Sequence, residues 1–267
     1  MSDSDFKIEN HVLIKYLGNK PDILIPDSVS GIAERAFSGC DCLHSVKIPD
    51  TVTEIGTCAF SACHHLESVI LPKYLHSIPE CMCGCSGLNR LTLPEQITQI
   101  EEGAFYGCRN LTSVTFPESL RKIGVVAFAD CGLESVVIPD TVEVIESGAF
   151  YCRTLKKITR YGMTFTIEEI SDSNQILASA KLLKQYSENP ASDEAAACLK
   201  KKKNFRLLFL MDNEYFIKFL NTGKYFTRRT IDKAIQLANQ KHYYDKQMLL
   251  MNYKYQHFQN TGRKLKL

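Results

Sequence analysis

Apolar and polar positions alternate along this chain in a register that returns every 22 to 23 residues. Four successive segments show it: LHSVKIPDTVTEIGTCAFSACHH from Leu43, LESVILPKYLHSIPECMCGCSG from Leu66, LNRLTLPEQITQIEEGAFYGCRN from Leu88, and LTSVTFPESLRKIGVVAFADCG from Leu111. Prolines mark the period at Pro26, Pro49, Pro72, Pro94, Pro117 and Pro139. In each unit the alternation through Leu43, Val46 and Ile48 predicts a short strand with one side turned inward. Proline ends that strand, because it has no N–H to give to a ladder. The next apolar pair, such as Val52 and Ile55, turns the chain back to the core. Ala59-Phe60-x-x-Cys63 reads as a tight helical or 3₁₀ turn on the far side. A unit this short cannot bury its own apolar side, so stacked copies are required.

Stacking places the strands in one parallel sheet at about 4.8 Å spacing and lines up equivalent residues as ladders. A phenylalanine ladder runs Phe37, Phe60, Phe105, Phe128, Phe150, and an isoleucine ladder runs Ile32, Ile55, Ile78, Ile100, Ile123, Ile145. A leucine ladder joins Leu43, Leu66, Leu88, Leu111, Leu133 and Leu155. The third coil departs from the pattern. Met82 and Cys83 are expected in place of Ala-Phe there, and its turn is one residue short. Two alternating strands, Phe6–Ile8 and Val12–Tyr16, form a hairpin over the first coil. The stretch 158–167 covers the last, since an open sheet edge invites aggregation.

These residues, with their repeated IPxxVxxIxxxAFxxC core, resemble the BspA-type leucine-rich repeat family over about residues 23–160. The resemblance implies an α/β solenoid, a right-handed leucine-rich repeat coil with a parallel sheet. The hairpin at residues 1–22 is then its N-terminal cap and residues 23–170 the solenoid. The family includes bacterial surface proteins that attach to host or matrix proteins, and intracellular proteins of unassigned role.

After about residue 170 the period changes to that of a helix. Ser173 caps a helix carrying Ile176, Leu177, Ala180 and Leu183, and Asn189-Pro190 breaks it. Ser192 caps the next. Gly223 ends a helix containing Phe216, Phe219 and Leu220. Thr227 caps a helix with Ile231, Ala234, Ile235 and Ala238, and a last helix spans residues 244–258. The stretch IDKAIQLANQKHYYDKQMLLMNYK is similar to the helix pair of an ankyrin repeat, although the family's TPLH turn is replaced by Thr230-Ile231-Asp232. Residues 171–267 are therefore expected to form an all-α domain of helical hairpins.

Charge divides at the same place. Residues 1–170 hold 14 Lys+Arg and 22 Asp+Glu, a net of −8, and residues 171–267 hold 18 and 8, a net of +10. Two domains with separate surfaces follow. Six of the 11 cysteines (Cys40, Cys63, Cys85, Cys108, Cys131, Cys152) occupy one repeat position. They read as a buried ladder of free thiols, which favours a reducing, cytoplasmic location. The N-terminus Met-Ser-Asp-Ser-Asp lacks the basic and apolar regions of a signal peptide. A surface or secreted location remains the alternative if such a signal lies outside this sequence. No apolar run reaches the roughly 18 residues of a membrane span.

Cys81, Cys83 and Cys85 with Cys58, His64 and His65 have some of the residue types of a zinc site. Their ladder assignments point them apart, so no metal and no cofactor are expected. The histidines pair with no nucleophile motif and there is no glycine-rich phosphate loop, so no catalytic residue is proposed and the chain is read as non-enzymatic. The densest basic run, Lys200, Lys201, Lys202, Lys203 and Arg206, suits either a solvated helix face or a basic adaptor for nucleic acid.

A protein or peptide partner is the expected ligand, held on the outward face of the strands. Alternation gives that face two columns: Asp22, Ser45, Ser68, Arg90, Ser113, Ser135, Lys157, and Leu24, Lys47, Ile70, Thr92, Thr115, Val137, Thr159. Leu24, Lys47, Ile70, Arg90, Thr92, Thr115, Val137 and Lys157 are the candidate partner-binding residues. Ser, Thr and Val also suit any exposed sheet position, and both readings stay open at this point.

Overall fold

A computed structural model describes residues 5–160, 163–166, 207–210 and 213–258. The described residues fall into two compact units, the coils before residue 161, and residues 163–166 with the helices after residue 206.

The first unit opens with an antiparallel hairpin, β1 (Phe6–Glu9) and β2 (Val12–Tyr16). Asn10 and His11 both sit at positive φ, as a two-residue hairpin turn demands. Each coil then supplies a strand from the predicted alternation: β3 (Asp22–Leu24), β5 (Ser45–Lys47), β7 (Ser68–Ile70), β9 (Arg90–Thr92), β11 (Ser113–Thr115), β13 (Ser135–Ile138) and β15 (Lys157–Arg160). β15 extends this parallel series by pairing with β13, so residues 158–160 belong to a coil strand, not to a cover. The strand β16 (Met163–Thr166) that follows belongs to the second unit.

The apolar pair after each proline does more than turn the chain. Its second member and the residue before it form a second, two-residue strand: β4 (Gly31–Ile32), β6 (Glu54–Ile55), β8 (Ser77–Ile78), β10 (Gln99–Ile100), β12 (Lys122–Ile123) and β14 (Val144–Ile145). These also pair in parallel, and β2 of the hairpin joins β4. The bend between the two strands is a turn in which the proline carbonyl accepts from the N–H three residues on, as from Val52 to Pro49 at 3.1 Å.

The far side is neither helix nor strand. Each Ala-Phe-x-x-Cys stretch is a run of turns, with Cys40 N–H donating to Phe37 O at 3.0 Å. Alternate N–H groups instead reach the next coil: Arg35 to Thr57, Phe37 to Ala59 and Gly39 to Ser61. Backbone groups that point along the stacking axis therefore find partners on three sides of the coil.

The ladders are the core. Phe37, Phe60, Phe105, Phe128 and Phe150 are fully buried, as are Leu43, Leu66, Leu88, Leu111 and Leu133. Phe37 stacks on Phe60 with centroids 4.8 Å apart, and Phe128 lies 5.1 Å from Phe105 and 5.4 Å from Phe150. Tyr16 of the hairpin extends the stack at 5.4 Å from Phe37. Ile145 alone in the isoleucine ladder is only half-buried.

The third coil corrects the expected alignment by one residue. Phe60 N–H donates to Cys81 O, and Met82 N–H to Ala104 O. Cys81 thus takes the alanine position and Met82 the phenylalanine position, both fully buried, while Cys83 is half-exposed. The missing residue lies before Cys81, beside Pro79, and not within the ladder turn.

In the second unit α1 (Leu207–Leu210) and α2 (Asn213–Asn221) precede α3 (Arg228–Gln240) and α4 (Tyr244–Phe258). Gly223 follows α2 at φ 69°. Thr227 caps α3 as expected: its hydroxyl accepts from Thr230 N–H, and Thr230 returns the bond to Thr227 N–H. A short connection, 241–243, folds α4 back as a hairpin partner of α3. Phe216, Phe219, Ile231, Ala234, Ala238 and Leu250 fill the centre. Buried Lys246 bonds Asn213 and lies 5.5 Å from the Phe216 ring centre. The helices expected from Ser173 and Ser192 lie outside the described residues.

Candidate interaction surface

Short strands present each outward residue to its neighbour in register. Leu24, Lys47 and Ile70 stand side by side across β3, β5 and β7, beside the column Asp22, Ser45, Ser68. Arg90 pairs with Ser113 and Thr92 with Thr115 across β9 and β11. Ser135 pairs with Lys157 and Val137 with Thr159 across β13 and β15. All eight predicted partner-binding residues are exposed on this side. The three apolar ones are open to solvent, at 43 % for Leu24, 56 % for Ile70 and 65 % for Val137. A lone exposed apolar side chain is ordinary, but three along the outward side of the coil strands, two in the sheet β3–β5–β7 and one in the sheet of β13, are less so.

The columns differ in charge from the rest of the coils. They hold three of the 14 basic residues of positions 1–170 (Lys47, Arg90, Lys157) but one of the 22 acidic ones (Asp22). Asp22 is itself engaged, accepting the Ser45 hydroxyl at 2.5 Å. The adjoining rim is mixed, with Glu134 paired to Lys156 at 3.3 Å and His44 stacked on His65 at 6.0 Å. The Asp22–Ser45 bond was not singled out from the sequence, although the 23-residue offset places the two in one column.

The cysteines form a ladder. Ten cysteines lie among the described residues, all free thiols; Cys63, Cys85, Cys108, Cys131 and Cys152 are buried in one row, while Cys40, the first of the six expected there, is half-exposed. Burial pushes the Cys108 thiol up to about 12 and Cys152 to about 11. Cys85 is raised further by its hydrogen bond to Cys63 and by burial. Such thiols are poor nucleophiles at neutral pH. Among the described residues no three His, Cys, Asp or Glu side chains converge as a metal site, and no helix is long and apolar enough to cross a membrane. Lys200, Lys201, Lys202, Lys203 and Arg206 lie outside the described residues.

The model of the "BspA type Leucine rich repeat region" matches in six copies over residues 8–100 and 79–187. Among solved structures, a leucine-rich repeat protein of T. pallidum is 29 % identical with a TM-score of 0.41, over 59 % of this chain and 70 % of its own. One from Eubacterium ventriosum is 24 % identical with a TM-score of 0.46, over 56 % of this chain and 50 % of its own. A leucine-rich cell surface protein from Faecalibacterium prausnitzii is 25 % identical with a TM-score of 0.42, over 62 % and 57 %. The match thus spans about half the length of the last two. No curated protein matches the chain. The repeat model covers 180 of 267 positions, and the ladders at its core are the ones described above: the chain belongs to the BspA-type leucine-rich repeat family.

Proposed function

We propose that this chain is a non-enzymatic interaction module that binds a protein across its strand face, and that the bound segment presents acidic and apolar side chains. The charge inversion carries the reading: in coils that are net acidic, the strand columns keep three cations and one carboxylate that is already hydrogen-bonded. Lys47 is exposed beside Ile70 and Arg90 beside Ser113, both among small hydroxyls, so a carboxylate can approach them without steric cost. Seven strands at about 4.8 Å spacing span roughly 29 Å, enough for an extended segment of about nine residues. By the family's membership this partner is a protein. The ladder of buried free cysteines supports a reducing compartment, which makes the partner an intracellular one.

The test is capture from the source cells with three proteins: wild type, Ile70→Asp with Lys47→Glu, and a far-side control, Tyr151→Ser. A partner retained by wild type and control, lost by the face variant and weakened by salt, is the expected result. Equal retention by all three would remove the strand face from consideration. Fractionation of the same cells checks the location, and a surface-exposed protein would redirect the search to host or matrix ligands.

A further inference from the structure

Helix α4 is apolar on two opposite sides. One side is buried within its own unit through Leu250 and Tyr253. The other carries Tyr244, Met248, Met251 and Tyr255, which are 57 %, 66 %, 53 % and 69 % exposed. At about 100° per residue these four fall within roughly 60° of arc, almost diametrically across from the buried side. A surface helix ordinarily turns polar residues that way, and a helix apolar on both sides is ordinarily covered on both.

The spacing of the stripe is four, three, four, the alternation by which one helix seats against another. It is also a palindrome. Turned end over end about a point between Leu249 and Leu250, Tyr244 falls on Tyr255 and Met248 on Met251. An isologous two-fold interface requires this of a surface: residue i meets j and j meets i. An unrelated partner helix places no such condition on the order of side chains.

We propose that α4 is a self-association surface, pairing antiparallel with α4 of a second copy so that Tyr244 packs on the partner's Tyr255 and Met248 on the partner's Met251. The flanks permit it. Gln247 and Asn252, which border the stripe, are uncharged. Asp245 accepts from the Asn213 side-chain amide at 3.3 Å, and Lys254 is paired with Asp232 at 2.6 Å, so the charged groups flanking the seam are already engaged. Methionine adapts its shape to a matching surface, and tyrosine covers it while keeping its hydroxyl wet. Partly exposed side chains of this size cover about 500 Å² per copy. The two copies together reach roughly 1,000 Å², the lower limit of a specific contact. The dimer is therefore weak and forms with rising concentration.

Sedimentation of the full chain from low to high micromolar concentration tests this. Wild type is expected to rise from 30.2 kDa toward twice that mass. Met248→Asp with Met251→Asp is expected to stay at the monomer mass with an unchanged circular dichroism spectrum. Tyr255→Glu, at the edge of the stripe, is the second variant should the first misfold. A wild type that remains monomeric, or a variant that dimerises as well as wild type, overturns the proposal. A photo-crosslinking residue at Tyr244 reads the register: attachment to the segment around the partner's Tyr255 supports antiparallel pairing. Attachment to the partner's Tyr244, or within the same chain, overturns it.

Discussion

The thiol of Cys63 donates to the main-chain carbonyl of Phe37 in the preceding coil, 3.1 Å away. That carbonyl also accepts the N–H of Cys40 in its own turn. The arrangement recurs from Cys85 to Phe60, Cys108 to Met82, Cys131 to Phe105 and Cys152 to Phe128, all between 3.0 and 3.2 Å. Cysteine suits the position because it is small, apolar and a weak donor. Cys108→Ala should lose only the weak bond and a small volume, costing about 1 kcal/mol. Cys108→Val should cost more, about 1–3 kcal/mol, by forcing the coils apart. Urea titrations of the two variants check the order.

The same ladder makes the protein sensitive to alkali. A buried thiol keeps its proton to higher pH in the fold than in the unfolded chain, where its pKa is about 8.5. Above that pH the unfolded state holds fewer protons, so stability falls with rising pH until the folded thiol itself ionises. For Cys108, held at about 12, the loss is about 1.4 kcal/mol per pH unit between pH 9 and 12. Melting temperatures measured from pH 7 to 11 should decline above about pH 9, and less steeply in Cys108→Ala. A flat profile over that range would contradict the buried ladder.

Phe128 is held on three sides: by Phe105 and Phe150 in the stack, and by Phe116 edge-on at 5.6 Å. Phe128→Ala should cost about 3–5 kcal/mol, because rings fixed by neighbouring coils cannot collapse into the space. Thermal unfolding of the variant measures it. Tyr16→Ala, at the capped end of the stack, should cost less, since Tyr16 borders fewer coils.

Two glycines separate crowding from backbone strain. A Cβ on Gly132 would stand 2.3 Å from the carbonyl oxygen of Arg109, while one on Gly39 would meet nothing within 4 Å. Gly39 sits instead at φ 70°. Gly39→Ala should cost about 1 kcal/mol, the strain of a left-handed residue. Gly132→Ala should cost several times more, because backbone of the adjacent coil must move. Denaturant midpoints of the two variants compare them directly.

The ladders were legible because a repeat writes each core position several times over. Phe37 through Phe150 needed no knowledge of the fold, and neither did Thr227, whose cap is a local bond. The second strand was not legible. Two residues such as Glu54-Ile55 carry no period, and their pairing becomes visible only when coils are stacked. The far-side stretch is expected as a tight helical or 3₁₀ turn; it keeps turn bonds such as Cys40 to Phe37, but Phe37 N–H reaches the next coil at Ala59. The alignment of Met82 failed because a single deletion can be placed on either side of Cys81 by eye, whereas the bond to Ala104 permits one placement. The strand face was legible as a surface and not as a site. Lys47 or Ile70 can be changed without disturbing any ladder, so the pattern constrains them little. The stripe on α4 is readable in its spacing, four, three and four from Tyr244 to Tyr255, but nothing in the spacing alone tells an exposed stripe from a buried one.

Pro79 stands where Gly56, Glu101, Gly124 and Glu146 each donate an N–H to the isoleucine of the coil before. It has none to give, and β8 does not pair with β6. The outer strands part at the other boundary of this coil, between β7 and β9, as they do again between β11 and β13, and methionine interrupts the aromatic stack. Only the far-side turns carry hydrogen bonds across on both sides, as from Ala62 to Cys83 and Gly84 to Tyr106. In a linear array, cooperativity passes from each unit to the next through their shared boundary. The third coil thus lacks one strand pairing toward each neighbour and forms a compliant seam between the coils on either side of it. Under load or partial denaturation the array should open there first, with amide protons on the two sides exchanging as separate groups.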